Sequence, residues 1–432
     1  MKTPHSVATL MVASMMIALT AVGGAAAAGE LQRPLPKRAY HSWEEVVAKR
    51  QAQFAADPAS FAVPAIREAA VPQVIAANEA DPVEGLVVEW WCNPEGPDAA
   101  DVLWMKAIET AVNAGAEPHV YLHTWVPMPD EELLETCSGM LQTGYGISPD
   151  QVHWYQDFET DSFWLRDFGP FFVRDVASDA LSIEDAKYYP GRPHDDAQPT
   201  DFAERIDAPL SDFDLYYEGG NFLPNGGGLC LASSVLLDAN PHLKREHIEA
   251  MFRAELGCEE LVIVDALKDA ATGHVDMWMA WADHTTLLVG EYTVEQDAVN
   301  SKIIERNIRK KLSGLRDPET GAPVRIVRVP MPSNCPVHNF PGAKPGLPTP
   351  PQAAQWCPYL PPQYRIWRSY LNVLQLNGRV LLPVYAEDRT YEAEAIRIWE
   401  EQGFEVIPLE ADIIAPAAGE FHCVTKTIDA PR

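Results

Sequence analysis

The chain has 432 residues, with 33 basic and 62 acidic side chains and a formal net charge of −29. So acidic a composition argues against nucleic-acid binding, because phosphates are neutralised by Lys and Arg, and it gives no attraction to an anionic membrane surface. Apolar residues at 47% and charged residues at 22% describe a globular protein rather than a disordered one.

In chain order, residues 1–28 stand apart. Lys2 is followed by an apolar run from Val7 to Val22 and then by small residues through Ala28. This is the layout of a secretory signal peptide cut near Ala28, which predicts a secreted or periplasmic protein. The competing reading, a membrane anchor, asks for a longer span and a basic flank. Residues 29–71 are expected to form an N-terminal arm with one or two short helices. Residues 72–432 are expected to form a single domain.

Within that domain apolar periodicity predicts a strand at Leu86 to Trp91, a helix through Val102 to Val112, a strand at Val120 to Trp125, a helix over 130–141 and extended chain at Val152 to Tyr155. Asn240-Pro241 is read as a helix start and Gly257 as its stop. A strand follows at Leu261 to Val264, then paired strands at Met277 to Ala282 and Thr286 to Val289, then a helix over 295–313. Asn377-Gly378 between two apolar runs predicts a hairpin, followed by a helix at 391–402 and a strand at 404–409. The Pro-rich stretch 329–362 reads as a long surface loop. The whole is a mixed α/β array.

Seven cysteines stand at 92, 137, 230, 258, 335, 357 and 423. In an oxidising compartment an odd count leaves at least one thiol outside the bridges, to be examined as reactive. Cys335 with Cys357, and then Cys230 with Cys258, are the pairings to expect.

Five segments could carry chemistry. Trp164-Leu165-Arg166-Asp167-Phe168-Gly169-Pro170 places Asp167 at the end of a strand before a turn; alone it reads equally as a surface acid paired with Arg166. Glu218-Gly219-Gly220-Asn221 offers close backbone approach, or a plain hairpin turn. In Gly273-His274-Val275-Asp276 a strand would point His274 and Asp276 to one face, an arrangement suited to acid/base work or an exposed pair. Two ligands do not close a metal site, and no HExxH or CxxC pattern is present. Arg368-Ser369-Tyr370-Leu371-Asn372 is the fourth segment, or an ordinary edge strand. Gly419-Glu420-Phe421-His422-Cys423-Val424-Thr425 holds the last cysteine, the candidate reactive thiol, or a buried terminal Cys.

Together these make a Cys–His–carboxylate system with a second acid beside it. A thiolate is the useful nucleophile. A protease needs an oxyanion hole, whereas two spare carboxylates suit a cation. A guanidinium, planar with five donors, is the side-chain-sized cation that two carboxylates can grip and orient. Positions 167, 218, 274, 372 and 423 are separated by 51, 56, 98 and 51 residues. The long interval is close to twice the others, which hints at an internal repeat.

With these motifs in order, residues 72–430 resemble the agmatine deiminase and bacterial peptidylarginine deiminase family of guanidine-modifying penteins. The resemblance implies a five-bladed α/β propeller of pseudo-repeats around one site. It also implies that Cys423 attacks the guanidinium carbon, His274 is the acid/base, Asp167 and Asp276 hold the guanidinium, Glu218 orients His274 and Asn372 lies nearby. No metal or cofactor is implied. Two departures stand out: Ala417-Ala418-Gly419-Glu420-Phe421 replaces the family's glycine run, and Tyr188 to Asp196 replaces a Gly/Trp-rich segment. Arg192 there matches one of two arginines that hold a substrate carboxylate in the bacterial peptidylarginine deiminases, or else pairs with Asp195 or Asp196. The expected function is a secreted deiminase that turns the guanidinium of peptidylarginine into a ureido group and ammonia. Agmatine is the second substrate to consider, and amidinotransfer the third. A silent binding pentein would lack one of the Cys, His or acid positions, and a papain-like protease would carry its Cys before its His.

Overall fold

The computed structural model describes residues 43–61, 63, 72–189, 191–334, 366–386 and 388–432. The chain opens with α1 (Trp43–Ala56), β1 (Val74–Ile75), β2 (Val83–Trp91), α2 (Ala99–Ala114), β3 (Glu117–His123), α3 (Asp130–Tyr145) and β4 (His153–Tyr155). Next come α4 (Leu165–Phe168), β5 (Phe171–Asp175), β6 (Leu181–Lys187), α5 (Pro193–Arg205), β7 (Leu210–Tyr216), β8 (Leu223–Pro224) and β9 (Leu229–Ser233). Then follow α6 (Val235–Ala239), α7 (Arg245–Glu255), β10 (Glu260–Val264), β11 (Met279–Asp283), β12 (Thr286–Glu291), α8 (Val294–Asn307) and β13 (Arg325–Pro330). The chain closes with β14 (Leu374–Leu376), β15 (Arg379–Val384), α9 (Glu392–Glu401), β16 (Glu405–Glu410) and β17 (Thr425–Asp429).

These strands form five sheets, ordered β1-β5-β6-β7, β8-β9-β10, β11-β12-β13, β14-β15-β16 and β17-β2-β3-β4. Each contains one antiparallel pair followed by a parallel partner: β5/β6/β7, β8/β9/β10, β11/β12/β13, β14/β15/β16 and β17/β2/β3. A parallel step needs a crossover, which helices supply here: α2, α5, α6 with α7, α8 and α9. The unit strand–strand–helix–strand therefore recurs five times, compatible with a five-bladed arrangement. The last strand, β17, pairs with β2 and joins the two ends of the domain. Middle strands such as β9 are buried at every residue, so they read as continuous apolar runs rather than alternating ones.

Local sequence fixes the joints. At the start of α2 the Asp98 carboxylate accepts from the N–H groups of Ala100 and Asp101, and Asp101 accepts in return from Asp98. Asp101 also accepts from Trp90 Nε1 at 2.8 Å, fastening α2 to the end of β2. The predicted hairpin is present, with φ of 47° at Asn377 and 81° at Gly378, as a tight two-residue turn requires. The Asn377 amide then holds Val83 of β2, accepting from its N–H at 2.7 Å and donating to its carbonyl at 2.9 Å.

One helix start changes and one bridge is added. The helix predicted from Asn240-Pro241 begins at Arg245, because the buried Asn240 side chain is spent on Tyr216 of β7 and on Leu236 of α6. Cys230–Cys258 is bridged as expected, but so is Cys92–Cys137, which ties the end of β2 to α3 and which a 45-residue separation did not suggest. Cys335, Cys357, nearly all of the Pro-rich loop and residues 1–28 lie outside the described residues. Among the described residues no helix is long and apolar enough to cross a membrane.

Candidate active site

The five segments singled out in the sequence each stand ahead of a strand in one of five different sheets. Asp167 precedes β5, Glu218 precedes β8, His274 and Asp276 precede β11, Asn372 precedes β14 and Cys423 precedes β17. The intervals are therefore four steps between five consecutive units. The long one is a single unit that also carries the Pro-rich stretch, not two units, which corrects the doubling hint. Local backbone also differs from expectation. Asp167 sits in the one-turn helix α4, not at a strand end, and Glu218 leads into a 3₁₀ turn at Gly219–Asn221. His274 and Asp276 lie in irregular backbone before β11, so strand alternation is not what points them together.

Tertiary packing does so. Cys423, Asp167, His274, Asp276, Glu218 and Asn372 are all buried, at 8% exposure or less. Gly220 marks where they converge. A Cβ added to it would lie 2.5 Å from His274 Nδ1, 2.9 Å from Asp167 Oδ1 and 3.0 Å from Asp276 Oδ2. Only a residue without a side chain lets these groups pack so closely on the backbone.

His274 is held by Glu218, with Nε2 to Oε2 at 2.9 Å, and more loosely by Asp167, with Nδ1 to Oδ1 at 3.5 Å. Tyr189 donates to the other Glu218 oxygen at 2.8 Å and fixes that carboxylate. Burial disfavours charge on His274, but Asp167, Glu218 and Asp276 outweigh it and hold its pKa above the ordinary value. The thiol of Cys423 is outside both disulfides. Its Sγ accepts from Asn372 Nδ2 at 3.2 Å and lies 3.6 Å from Asp276 Oδ2. Asn372 Oδ1 accepts from the N–H groups of Glu420 at 3.0 Å and Cys423 at 3.2 Å, so one amide sets both the loop and the sulfur. Asn372 is thus a neighbour of the thiol.

A second histidine system was not foreseen. His422 Nδ1 meets Asp276 Oδ2 at 2.7 Å and His422 Nε2 meets Glu79 Oε2 at 2.8 Å. Glu79 also pairs with Arg166, whose Nε donates to the His422 carbonyl at 3.1 Å. Burial and Arg166 oppose charge on His422, yet its two carboxylates raise its pKa. Burial likewise opposes charge on Asp276 and Glu79, and the surrounding cations overcome it and lower both. His422 stood in a quoted motif without a role. Glu79 belonged to none; its only signal was an isolated acid just ahead of β2.

Arg192 donates to Ser162 Oγ at 3.1 Å and lies 3.7 Å from Asp195 Oδ2. The pairing with Asp195, one of its two expected uses, is therefore present. Among the described residues, two groups offer metal-ligand atoms within 4.8 Å of one another: Asp167, Glu218 and His274, and on β3 and β4 Glu117, His119 and His153. In the first the carboxylates already engage the His274 ring. Outside that group the Asp276 Oδ1 atom is buried and accepts no hydrogen bond from the described residues. Leaving a buried charged acceptor unsatisfied costs more than about 1–3 kcal/mol, and a guanidinium carries the donors to satisfy it.

The family model for Porphyromonas-type peptidyl-arginine deiminase matches residues 77–428. An agmatine deiminase of Pseudomonas aeruginosa is 26% identical over 293 residues, covering 64% of this chain and 77% of the relative. One from Medicago truncatula is 26% identical over 317 residues, covering 64% and 78%. Among solved structures, agmatine deiminase of Enterococcus faecalis superposes with a TM-score of 0.67 at 17% identity, over 85% of this chain and all of that one. Agmatine deiminase of C. jejuni gives 0.61 at 15% identity, over 83% and 96%. At such identities the structures speak for the fold, which is that of the penteins. The chain belongs to the Porphyromonas-type peptidyl-arginine deiminase family and is a guanidine deiminase, a hydrolase of the C–N bonds of linear amidines.

Proposed function

We propose that the protein hydrolyses the guanidinium of agmatine, giving N-carbamoylputrescine and ammonia. The supporting observation is the buried cluster of Asp167, Asp276 and His274 packed around Gly220, with Asp276 Oδ1 lacking a donor among the described residues, beside an Arg192 already engaged by Ser162 and Asp195. The cage suits a guanidinium, and a carboxylate-free substrate makes no demand on Arg192. The names of the relatives point the same way.

In this reading Asp167 and Asp276 grip the guanidinium with charge-assisted bonds of roughly 1.5–3 kcal/mol each. The Cys423 thiolate attacks the central carbon and forms a C–S bond. His274 gives its proton to the departing nitrogen, the C–N bond breaks and ammonia leaves. His274, now neutral, takes a proton from water, which attacks the thiouronium carbon. The C–S bond then breaks as the hydroxyl gives up its proton to solvent, and the ureido product and the thiolate are released. Glu218 keeps His274 oriented, and Asn372 fixes the sulfur.

Peptidylarginine is the second reading, favoured by the export signal expected in residues 1–28; polyamine synthesis from agmatine is intracellular work. Ammonia and ureido product are to be measured with agmatine, free arginine, and peptides bearing internal or C-terminal arginine. Turnover of agmatine alone is expected. Preferred turnover of the peptides would replace agmatine with the second reading, and turnover of none would remove both. Fractionation of expressing cells, with N-terminal sequencing of the product, tests export: a mature start near residue 29 is expected with it, and an intact Met1 contradicts it.

A further inference from the structure

The helix α1 lies upstream of the region that matches the family, which starts at residue 77. It nevertheless packs into the domain. Val46 and Val47 are buried, and Gln51 and Arg50 donate to the carbonyls of Asp238 and Ala239 at the end of α6. Its first residue lies against the segment that delivers the acid/base histidine. The Trp43 N–H donates to the Ala270 carbonyl at 3.4 Å and its indole Nε1 to the Leu267 carbonyl at 3.1 Å. Glu44 adds an ion pair with Lys268 at 2.6 Å.

The indole also reaches Gly273, the residue before His274. A Cβ on Gly273 would lie 2.7 Å from Trp43 Cδ1, 2.8 Å from Trp43 Cγ and 2.8 Å from Val235 Cγ2. Gly273 has φ of +68°, so both its backbone and the indole require glycine here. Residues 265–278 contain no strand, and regular pairing does not set the position of His274. Its backbone N–H has a long bond to Thr272 Oγ1 at 3.4 Å. The indole is a large rigid body that touches this loop at Leu267 and at the Gly273 position.

We propose that Trp43 is a positioning residue for His274: the indole fixes Gly273 and so holds the imidazole in line with Glu218 and Asp167. This rests on the assignment of His274 as acid/base. Trp43 then serves catalysis from outside the residues that match the family. A displacement of about 1 Å at a reacting group can cost on the order of 10²-fold in rate, so a small relaxation of the loop is enough.

The test uses the mature chain with Trp43→Ala, Trp43→Phe and, as a control on the same helix, Gln51→Ala. His274 is faced by Asp167, Glu218 and Asp276, and loosening it from them lowers its pKa. Expected for Trp43→Ala is a kcat about tenfold or more down, a KM near that of the parent, and a basic limb of the rate profile displaced to lower pH. Trp43→Phe should restore most of the rate and Gln51→Ala should match the parent. A folded Trp43→Ala protein with unchanged kcat and pH profile overturns the proposal. So does a rate loss shared equally by Gln51→Ala, which would mark general loosening of the arm. If Trp43→Ala does not fold, Trp43→Phe and Trp43→Leu decide: a parental kcat and pH profile in both overturns it. The imidazole of His274 is also followed by NMR in each variant. That titration is independent of turnover, so an unmoved His274 refutes Trp43 as its positioner even if no substrate is found.

Discussion

Two buried histidines sit in one centre, each between two carboxylates, and they do not have the same freedom. His422 meets Asp276 and Glu79 at 2.7 and 2.8 Å, so both ring nitrogens are committed. His274 meets Glu218 at 2.9 Å but Asp167 only at 3.5 Å, so one nitrogen has a loose contact and faces the Gly220 space. Surrounding carboxylates raise the pKa of both. Both ring nitrogens of His422 hold short carboxylate contacts, whereas Nδ1 of His274 has only the looser one. The difference assigns the mobile proton to His274 and a fixed charge to His422, whose part is to keep Asp276 ionised.

The largest effect is expected at Gly220. Gly220→Ala drives a methyl group against His274, Asp167 and Asp276, and kcat/KM should fall about 10²-fold or more while the circular dichroism spectrum stays parental. Retained activity would show that the placement of these three side chains does not set the rate.

The histidines themselves can be separated next. His274→Gln should cost on the order of 10²–10⁴ in kcat, the usual worth of a general acid/base, together with some stability, because Glu218 and Asp167 lose their buried partner. His422→Gln leaves Asp276 buried without its closest cation, while Glu79 keeps Arg166, and breaking a buried pair costs about 3–5 kcal/mol. Its main result should be a lower midpoint in urea. If His422→Gln loses as much rate as His274→Gln, the division between the two histidines is wrong.

pH sharpens the same contrast. The raised pKa of His274 places the basic limb of the rate profile above its ordinary value near 6.5. Glu218→Gln removes one of the charges that raise it, so that limb should move to lower pH; movement to higher pH would contradict the assignment. For stability, the raised His422 contributes fully below its unfolded value and is lost as pH rises through its folded one. The lowered Asp276 contributes above its unfolded value near 3.8 and is lost as pH falls through its folded one. The parent should therefore lose stability on both sides, and His422→Gln should flatten the alkaline side.

The smallest effect belongs to a family departure. Ala418, in the stretch that replaces the glycine run before His422-Cys423, has φ of 73°. A left-handed Ala costs about 1–2 kcal/mol, part of which glycine returns as chain entropy. Ala418→Gly should raise stability by up to about 1 kcal/mol in urea unfolding, with Cys423 chemistry unchanged.

The sequence was most legible where residue type alone carries information. Asn377-Gly378 predicted its turn, and the five polar segments predicted a Cys–His–carboxylate centre because their side chains make sense only together. Backbone at those segments was misread. Asp167 and His274 lie in a helical turn and irregular chain, since tertiary contacts, not local propensity, hold them. Glu79 escaped notice for the same reason: nothing around it in the chain hints that it meets His422 across the fold. Cys92–Cys137 was missed because spacing does not encode pairing between an end of β2 and α3.

Covalent chemistry at Cys423 is the centre of the account, and rapid quenching of the parent during turnover offers the means to see it. The thiouronium should be trapped when the parent is mixed with excess agmatine and quenched in acid within the first turnovers. Mass spectrometry should then find the mass of agmatine less ammonia on the peptide that carries Cys423, and none in Cys423→Ala. Turnover by the parent with an unmodified Cys423 peptide at every quench time, or an adduct on another residue, would contradict it.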